Sequence, residues 1–255
     1  MVDSERRFGG LARLYGEAGA LRIRGAHVAV VGIGGVGSWA AEALARSGVA
    51  QLTLIDLDHI AESNINRQVH ALSDTLGMAK VQAMRERIAG INPDCAVYAL
   101  DVFADEDNWP SLLAADVNAV IDACDQVRAK TAMADWARRN RNLCHFVTVG
   151  AAGGKRHAHA VDIADLSRVT HDPLLAQVRY QLRRRHGAPK DGKLMHVHGV
   201  YSKESVQQSA DPCDVQTDAT LNCHGYGSVV SVTAAFGFCA AGWILDKISQ
   251  GVESG

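Results

Sequence analysis

The chain has 255 residues, of which 47% are apolar and 21% charged, with a formal charge of −2. A chain of that size and composition buries a sizeable core without disulfide or metal staples, which excludes a disordered chain and a stapled miniprotein. The near balance of charge excludes a uniformly basic nucleic-acid binder and leaves a local basic surface open.

Residues 10–24 read as an amphipathic helix ending near Gly25. A buried strand follows over His27 to Gly32, then a glycine turn, then a helix from about Ser38 to Arg46 that Gly48 breaks. Gln51 to Asp56 is a second strand, and Met78 to Ile88 a helix closed by Gly90 and Pro93. Ala96 to Leu100 reads as a strand, Ser111 to Ala115 as part of a short helix, and Ala119 to Asp122 as a strand. Ala129 to Arg141 is predicted helical and Leu143 to Val149 extended. Strands alternating with helices predict an α/β fold, a Rossmann-like mostly parallel sheet flanked by helices.

After Gly150 the rhythm changes to a C-terminal α+β extension. Strand-like runs are His159 to Ile163 and Leu194 to Tyr201, around a helix near Pro173 to Arg185. Residues 208–224 read as a loop. We therefore expect residues 1–150 to form a nucleotide-binding domain with its N-terminal helix. Residues 151–255 would be an extension for substrate binding and dimerisation, continuous with the same domain. Gly225 to Leu245 holds no charged residue and is long enough to span a membrane. Ser228, Ser231, Thr233 and several Gly and Ala dilute its hydrophobicity, so a buried or interface helix is favoured over membrane contact.

Six cysteines stand at 95, 124, 144, 213, 223 and 239, and no pair has C-x-x-C spacing, which argues against a zinc knot. Met1 to Arg7 has no apolar signal core. Reduced thiols in a cytoplasmic protein are expected. Cys213 and Cys223 match no reactive pattern. His196 and His198 alternate as on one strand face, but a metal pair there lacks a third ligand.

Gly32-Ile33-Gly34-Gly35-Val36-Gly37 is G-x-G-x-x-G between a strand and a helix. Such glycines let backbone N–H groups approach a phosphate, and Asp56 at the next strand end is placed for ribose hydroxyls. Alone, that unit favours NAD or FAD. Three further clusters redirect it. They are Asp56 to Gln68, Gly77-Met78-Ala79-Lys80, and Asp122-Ala123-Cys124-Asp125 with Arg128 and Lys130. Cations, amides and carboxylates around one nucleotide suit triphosphate chemistry, where charge is neutralised and a metal held, and hydride transfer needs no such set.

The order G-x-G-G-x-G, D-x-D…S-N-x-x-R-Q, G-x-x-K and D-x-x-D resembles the ThiF/MoeB superfamily, relatives of ubiquitin-activating enzymes, over residues 6 to about 150. Arg7 to Gly16, Asp122 to Lys130, Gly150 to Gly154 and Thr233 to Phe238 are similar to its tRNA threonylcarbamoyladenosine dehydratase branch over nearly the whole chain. The resemblance implies ATP and magnesium. It implies that Asp56 holds the ribose, that Gly35 lies against the nucleotide, and that Ser63, Asn64, Asn66 and Arg67 contact the phosphates. Lys80 would reach the phosphates as a point charge, and Asp125 would ligate magnesium. Gln126 stands where relatives often have Asn. Arg13 would enter a partner subunit's site, which implies a homodimer.

The residues also carry plainer readings. Arg67 suits a surface ion pair and Lys80 a helix-surface lysine. Asp122 reads first as a structural carboxylate at a strand end, and Asp58 is left open between ligand and structure. The implied substrate is tRNA carrying threonylcarbamoyl-adenosine beside the anticodon, cyclised through an acyl-adenylate of the threonyl carboxylate. The alternative is adenylation of the C-terminal glycine of a sulfur-carrier or ubiquitin-like protein, with sulfur-transfer proteins as partners. The absent zinc pairs and thioester cysteine weaken that alternative. Arg138, Arg139 and Arg141, and Arg183 to His186, are basic clusters suited to tRNA phosphates or to solvated helix ends.

Overall fold

In the computed structural model, residues 3–207 and 226–251 are described. The expected loop at 208–224, with Cys213 and Cys223, lies outside them. The strands are β1 (His27–Val31), β2 (Gln51–Ile55), β3 (Ala96–Leu100), β4 (Ala119–Asp122), β5 (His145–Val149), β6 (Val161–Asp165) and β7 (His198–Ser202). The helices are α1 (Ser4–Phe8), α2 (Gly10–Arg24), α3 (Gly37–Arg46), α4 (Lys80–Ile91), α5 (Val127–Arg139), α6 (Pro173–Arg185) and α7 (Val230–Gln250). The strands form one sheet in the order β3-β2-β1-β4-β5-β7-β6, parallel except for β6, which runs antiparallel to β7.

Strand β1 has every residue buried, as a central strand covered on both faces requires. One face packs Leu44, Met84, Phe236 and Ile244 from α3, α4 and α7. The other packs Met133, Leu175, Val178 and Leu182 from α5 and α6. Strand β7 pairs directly with β5, Val147 opposite His198, so the sheet continues beyond residue 150. Helix α7 is apolar enough to pass a membrane-span test of length and hydropathy, yet 56% of its most apolar window is buried in the protein. A Cβ on Gly237 would stand 2.5 Å from the Val36 carbonyl oxygen, so glycine there is what lets α7 approach α3 so closely.

Several expected elements are corrected. Residues 10–24 are not one smooth helix: Gly16 sits at φ 71°, ψ 162°, a conformation that glycine alone adopts readily, and it kinks α2. Helix α4 starts at Lys80 rather than Met78, because the Met78 carbonyl accepts from Ile60 N–H and the Lys80 N–H donates to the Asp58 carbonyl. It runs through exposed Gly90 to Ile91. Helix α5 spans Val127–Arg139, two residues earlier at each end than expected. The helix expected at Ser111 to Ala115 is a series of turns, in which the Leu113 N–H donates to the Pro110 carbonyl at 2.9 Å. Strand β5 begins at His145, the preceding Leu143 being held in a turn by the Asn140 carbonyl. Strands β6 and β7 begin at Val161 and His198, later than expected, and His196 lies outside β7 at φ 57°.

Candidate functional site

The glycine turn leaves the C-terminal end of β1 and opens α3. Gly32 has φ 85°, and a Cβ there would stand 2.7 Å from the Cys124 backbone nitrogen. A Cβ on Gly37 would meet the Gly32 carbonyl oxygen at 1.8 Å. The first and last glycines are therefore demanded by the turn itself and by its contact with the loop after β4. At Gly34 the nearest atom to an added Cβ is Gln68 Nε2 at 3.9 Å, so the fold alone does not require glycine there. Backbone left bare beside open space suits close approach of a phosphate. A Cβ added to Gly35 would stand 3.3 Å from Cγ and Cδ of the aliphatic stem of Arg67.

Asp56 ties this turn to β2. Its carboxylate accepts the Ile33 N–H at 2.6 Å and the Asp58 N–H at 2.8 Å. Burial raises its pKa above the ordinary carboxylate value, while Lys80 and the two amide bonds pull it back. Lys80 Nζ stands 2.6 Å from Asp58 Oδ2, with the lysine side chain buried and Asp58 half-exposed. The expected S-N-x-x-R residues form the turn beyond. Arg67 Nη1 donates to the Ser63 carbonyl at 2.6 Å and to Asn66 Oδ1 at 2.9 Å, and Asn66 Nδ2 donates to the Ser228 carbonyl at 3.2 Å. Asn64 is buried, with Oδ1 accepting the Ala61 N–H at 3.1 Å, so it has a visible structural task.

The loop after β4 is built on a different pair. Asp122 and Lys130 are both fully buried, with Lys130 Nζ 2.9 Å from Asp122 Oδ1 and 3.1 Å from the Asp122 carbonyl. Thr148 donates its hydroxyl to Asp122 Oδ2 at 2.6 Å. Asp122 thus holds the strand end, and Asp125 follows half-buried, one residue before the Gln126 cap of α5. Among the described residues no group of three or more His, Cys, Asp or Glu converges as a metal site. One carboxylate still suits magnesium, which commonly takes one or two carboxylates and completes its shell with waters and substrate phosphates. Arg13 lies exposed on α2.

Sequence reasoning assigned no role to Gln68, His70, Thr148 or Lys155. Gln68 is buried beside Gly34 with Oε1 unpartnered among the described residues, and its signal was its place in the R-Q pair. His70 is buried with neither ring nitrogen partnered among the described residues, and burial, with Lys80 and Arg87, lowers its pKa to about 4. Lys155 is buried and donates to the carbonyls of His171 and Glu204 at 3.1 and 2.7 Å. The described cysteines are unpaired thiols. Burial pushes Cys95 up to about 11 and Cys144 to about 12, and raises Cys124 and Cys239 as well.

The parallel sheet, the glycine turn on a helix N-terminus, the acidic residue at the next strand end and the cations beyond it define a nucleotide-binding α/β protein equipped for phosphate chemistry. The chain belongs to the ThiF family, whose profile matches residues 8–254. It is 42% identical over 248 residues to the tRNA threonylcarbamoyladenosine dehydratase of Haemophilus influenzae, covering 96% of this chain and 94% of that one. Its structure is similar to that of the Escherichia coli tRNA N6-threonylcarbamoyladenosine dehydratase in complex with ATP. The TM-score is 0.88 at 41% identity, over 100% of this chain and 99% of that one. The same E. coli enzyme in complex with AMP gives a TM-score of 0.87 at 42% identity, over 98% of this chain and 96% of that one.

Proposed function

We propose that this protein is a cytoplasmic, ATP-dependent enzyme that cyclises threonylcarbamoyl-adenosine beside the anticodon of tRNA, with loss of one water. The observation that carries the reading is the glycine turn braced by Asp56, with Lys80 beyond it, in a chain that matches an ATP-bound tRNA dehydratase from end to end. The threonyl carboxylate attacks the α-phosphorus of ATP and pyrophosphate leaves. The carbamoyl group of the same nucleoside then attacks the acyl-adenylate carbonyl, loses its proton, and expels AMP. Tethering nucleophile and electrophile in one molecule supplies a large effective concentration, so no enzyme thiol is needed. The raised thiols of Cys95, Cys124, Cys144 and Cys239 suit that scheme, being protonated at neutral pH.

Asp56 orients the ribose. Lys80, poised on Asp58, swings to the triphosphate, and Arg67 shares its charge. Magnesium bound by Asp125 supplies further neutralisation of phosphate charge. Arg13 of a partner subunit completes the site in a homodimer. Mixing Arg13→Ala with Asp125→Ala protein should restore activity through one intact site per heterodimer, and no recovery after proven subunit exchange would remove the trans role.

The test of the reading is mass spectrometry of nucleosides from tRNA bearing threonylcarbamoyl-adenosine, incubated with the protein, ATP and magnesium. The cyclic product should form, also with a Cys213→Ser/Cys223→Ser variant. ATP–pyrophosphate exchange that needs a small protein with a C-terminal glycine, and no reaction with tRNA, would overturn it.

A further inference from the structure

A cavity of about 570 Å³ runs over α5, between the turn at 106–110 and the end of α6. Its lining runs from Val127 and Arg128 in the first turn of α5, two and three residues beyond Asp125, to Arg139 at the last residue of the helix and Asn140 at its cap. A helix of 13 residues is about 20 Å long, so the groove follows α5 over its whole length from the end nearer Asp125.

The fold divides the basic residues around this groove into two sets. Arg138 is turned onto Asp135 and the His186 carbonyl, both at 3.4 Å. Arg183 donates to the Pro189 carbonyl and Arg184 to the Tyr180 hydroxyl, each at 3.2 Å. These three arginines are engaged by their own helices and by the joint between α5 and α6. Arg128 and Arg185 are exposed, line the groove, and make no hydrogen bond or ion pair among the described residues. Two carboxylates lie nearby. Asp135 is already met by Arg138, Arg139 and His186, and Glu106 stands on the opposite wall.

Trp136 lines the same groove, half-buried and edge-on to Trp109, with ring centroids 5.5 Å apart at 88°. Trp109 Nε1 and Gln181 Oε1, in the same walls, are buried without partners among the described residues. A flat aromatic surface in one groove with unpaired guanidinium groups is the chemistry that holds single-stranded nucleic acid, by stacking bases and meeting phosphates.

We propose that this groove seats the unpaired nucleotides flanking the modified adenosine. One base stacks on Trp136, phosphates lie on Arg128 and Arg185, and the strand is led along α5 toward Asp125. The proposal rests on tRNA being the substrate and adds where and how the RNA is held.

The experiment uses the full protein and an anticodon stem-loop RNA carrying threonylcarbamoyl-adenosine. An Arg128→Ala/Arg185→Ala variant should raise KM for the RNA at least tenfold and lower kcat less than that, and Arg185→Ala alone should retain ATP affinity by calorimetry. The slope of log KM against log salt should shrink by about 1.4–1.8, the share of two phosphate contacts. Trp136→Leu should raise KM about tenfold, whereas Trp136→Phe, which keeps a stacking face, should restore most of it. Wild-type KM and salt slope in the arginine variant, with the wild-type protein converting the RNA, would overturn the groove and leave the function standing. No conversion of the RNA by wild-type protein would overturn the function and the groove with it.

Discussion

The Lys130–Asp122 pair at the end of β4 and the Lys80–Asp58 pair beyond the end of β2 have similar lengths, 2.9 and 2.6 Å, and sit in different media. Both members of the first are out of water altogether, and Thr148 supplies Asp122 with a further hydrogen bond. In the second, Asp58 is 56% exposed. A dry pair cannot separate without leaving a bare charge, so it acts as a fixed joint beneath the loop that carries Asp125. In a pair open to solvent on one side the carboxylate stays hydrated when the lysine leaves, which supports the proposal that Lys80 reaches an incoming phosphate. The same two residue types thus form a dry joint in one region and a half-wet pair in the other.

The largest expected effect comes from breaking the dry pair. Lys130→Met should cost about 3–5 kcal/mol in denaturant unfolding, because Asp122 is left charged and buried. Lys130→Met combined with Asp122→Leu should recover part of that loss. A cost near that of a surface pair would erase the distinction between the two regions.

Lys80→Met should do the reverse. Unfolding stability should fall less than for Lys130→Met, because the Asp58 left behind is half in water. Adenylation turnover should fall roughly 100- to 1000-fold, the range for removing one transition-state charge partner. Equal losses of stability and turnover would make Lys80 a second scaffold lysine.

His70, between Lys80 and Arg87, tests the same region by pH. Its pKa of about 4 in the fold lies below its ordinary 6.5. The unfolded chain therefore takes up this proton at a higher pH than the folded one. The contribution of neutral His70 is complete above pH 6.5 and is lost progressively as pH falls toward 4, by up to about 3 kcal/mol. His70→Leu should flatten the stability curve across that window, and an unchanged slope would assign the acid sensitivity elsewhere.

Asp56 stands between the two extremes, half-buried and held by amides rather than by an ion pair. Asp56→Ala should weaken ATP binding roughly ten- to a hundredfold by calorimetry, the loss of one charge-assisted hydrogen bond at about 1.5–3 kcal/mol. Unchanged affinity would confine Asp56 to bracing the Ile33 turn.

The alternating apolar runs were enough to read the parallel sheet, because a strand covered on both faces must be apolar throughout, as Val28 to Val31 are. The glycine turn and the places of Asp56, Lys80 and Asp125 at element ends were legible because glycine spacing and charged residues at strand ends are local patterns. The element boundaries were less so. The start of α4 depends on Asp58, which lies 22 residues away and takes the Lys80 N–H. The division of Arg183, Arg184 and Arg185 into two engaged cations and one open to the groove was likewise not legible, since it depends on Pro189 and on the packing of α6 beside α5.

By itself, then, the chain's order of residues determined the sheet, the glycine turn and the charged residues at the element ends, all of which follow from hydrophobic period and local backbone need. Only the tertiary structure decided that Asp122 and Lys130 are dry and Asp58 is wet, and that β7 joins β5. It also decided that Trp136, Arg128 and Arg185 share one groove. Burial and side-chain proximity are sums over segments distant in sequence, and no local pattern carries them.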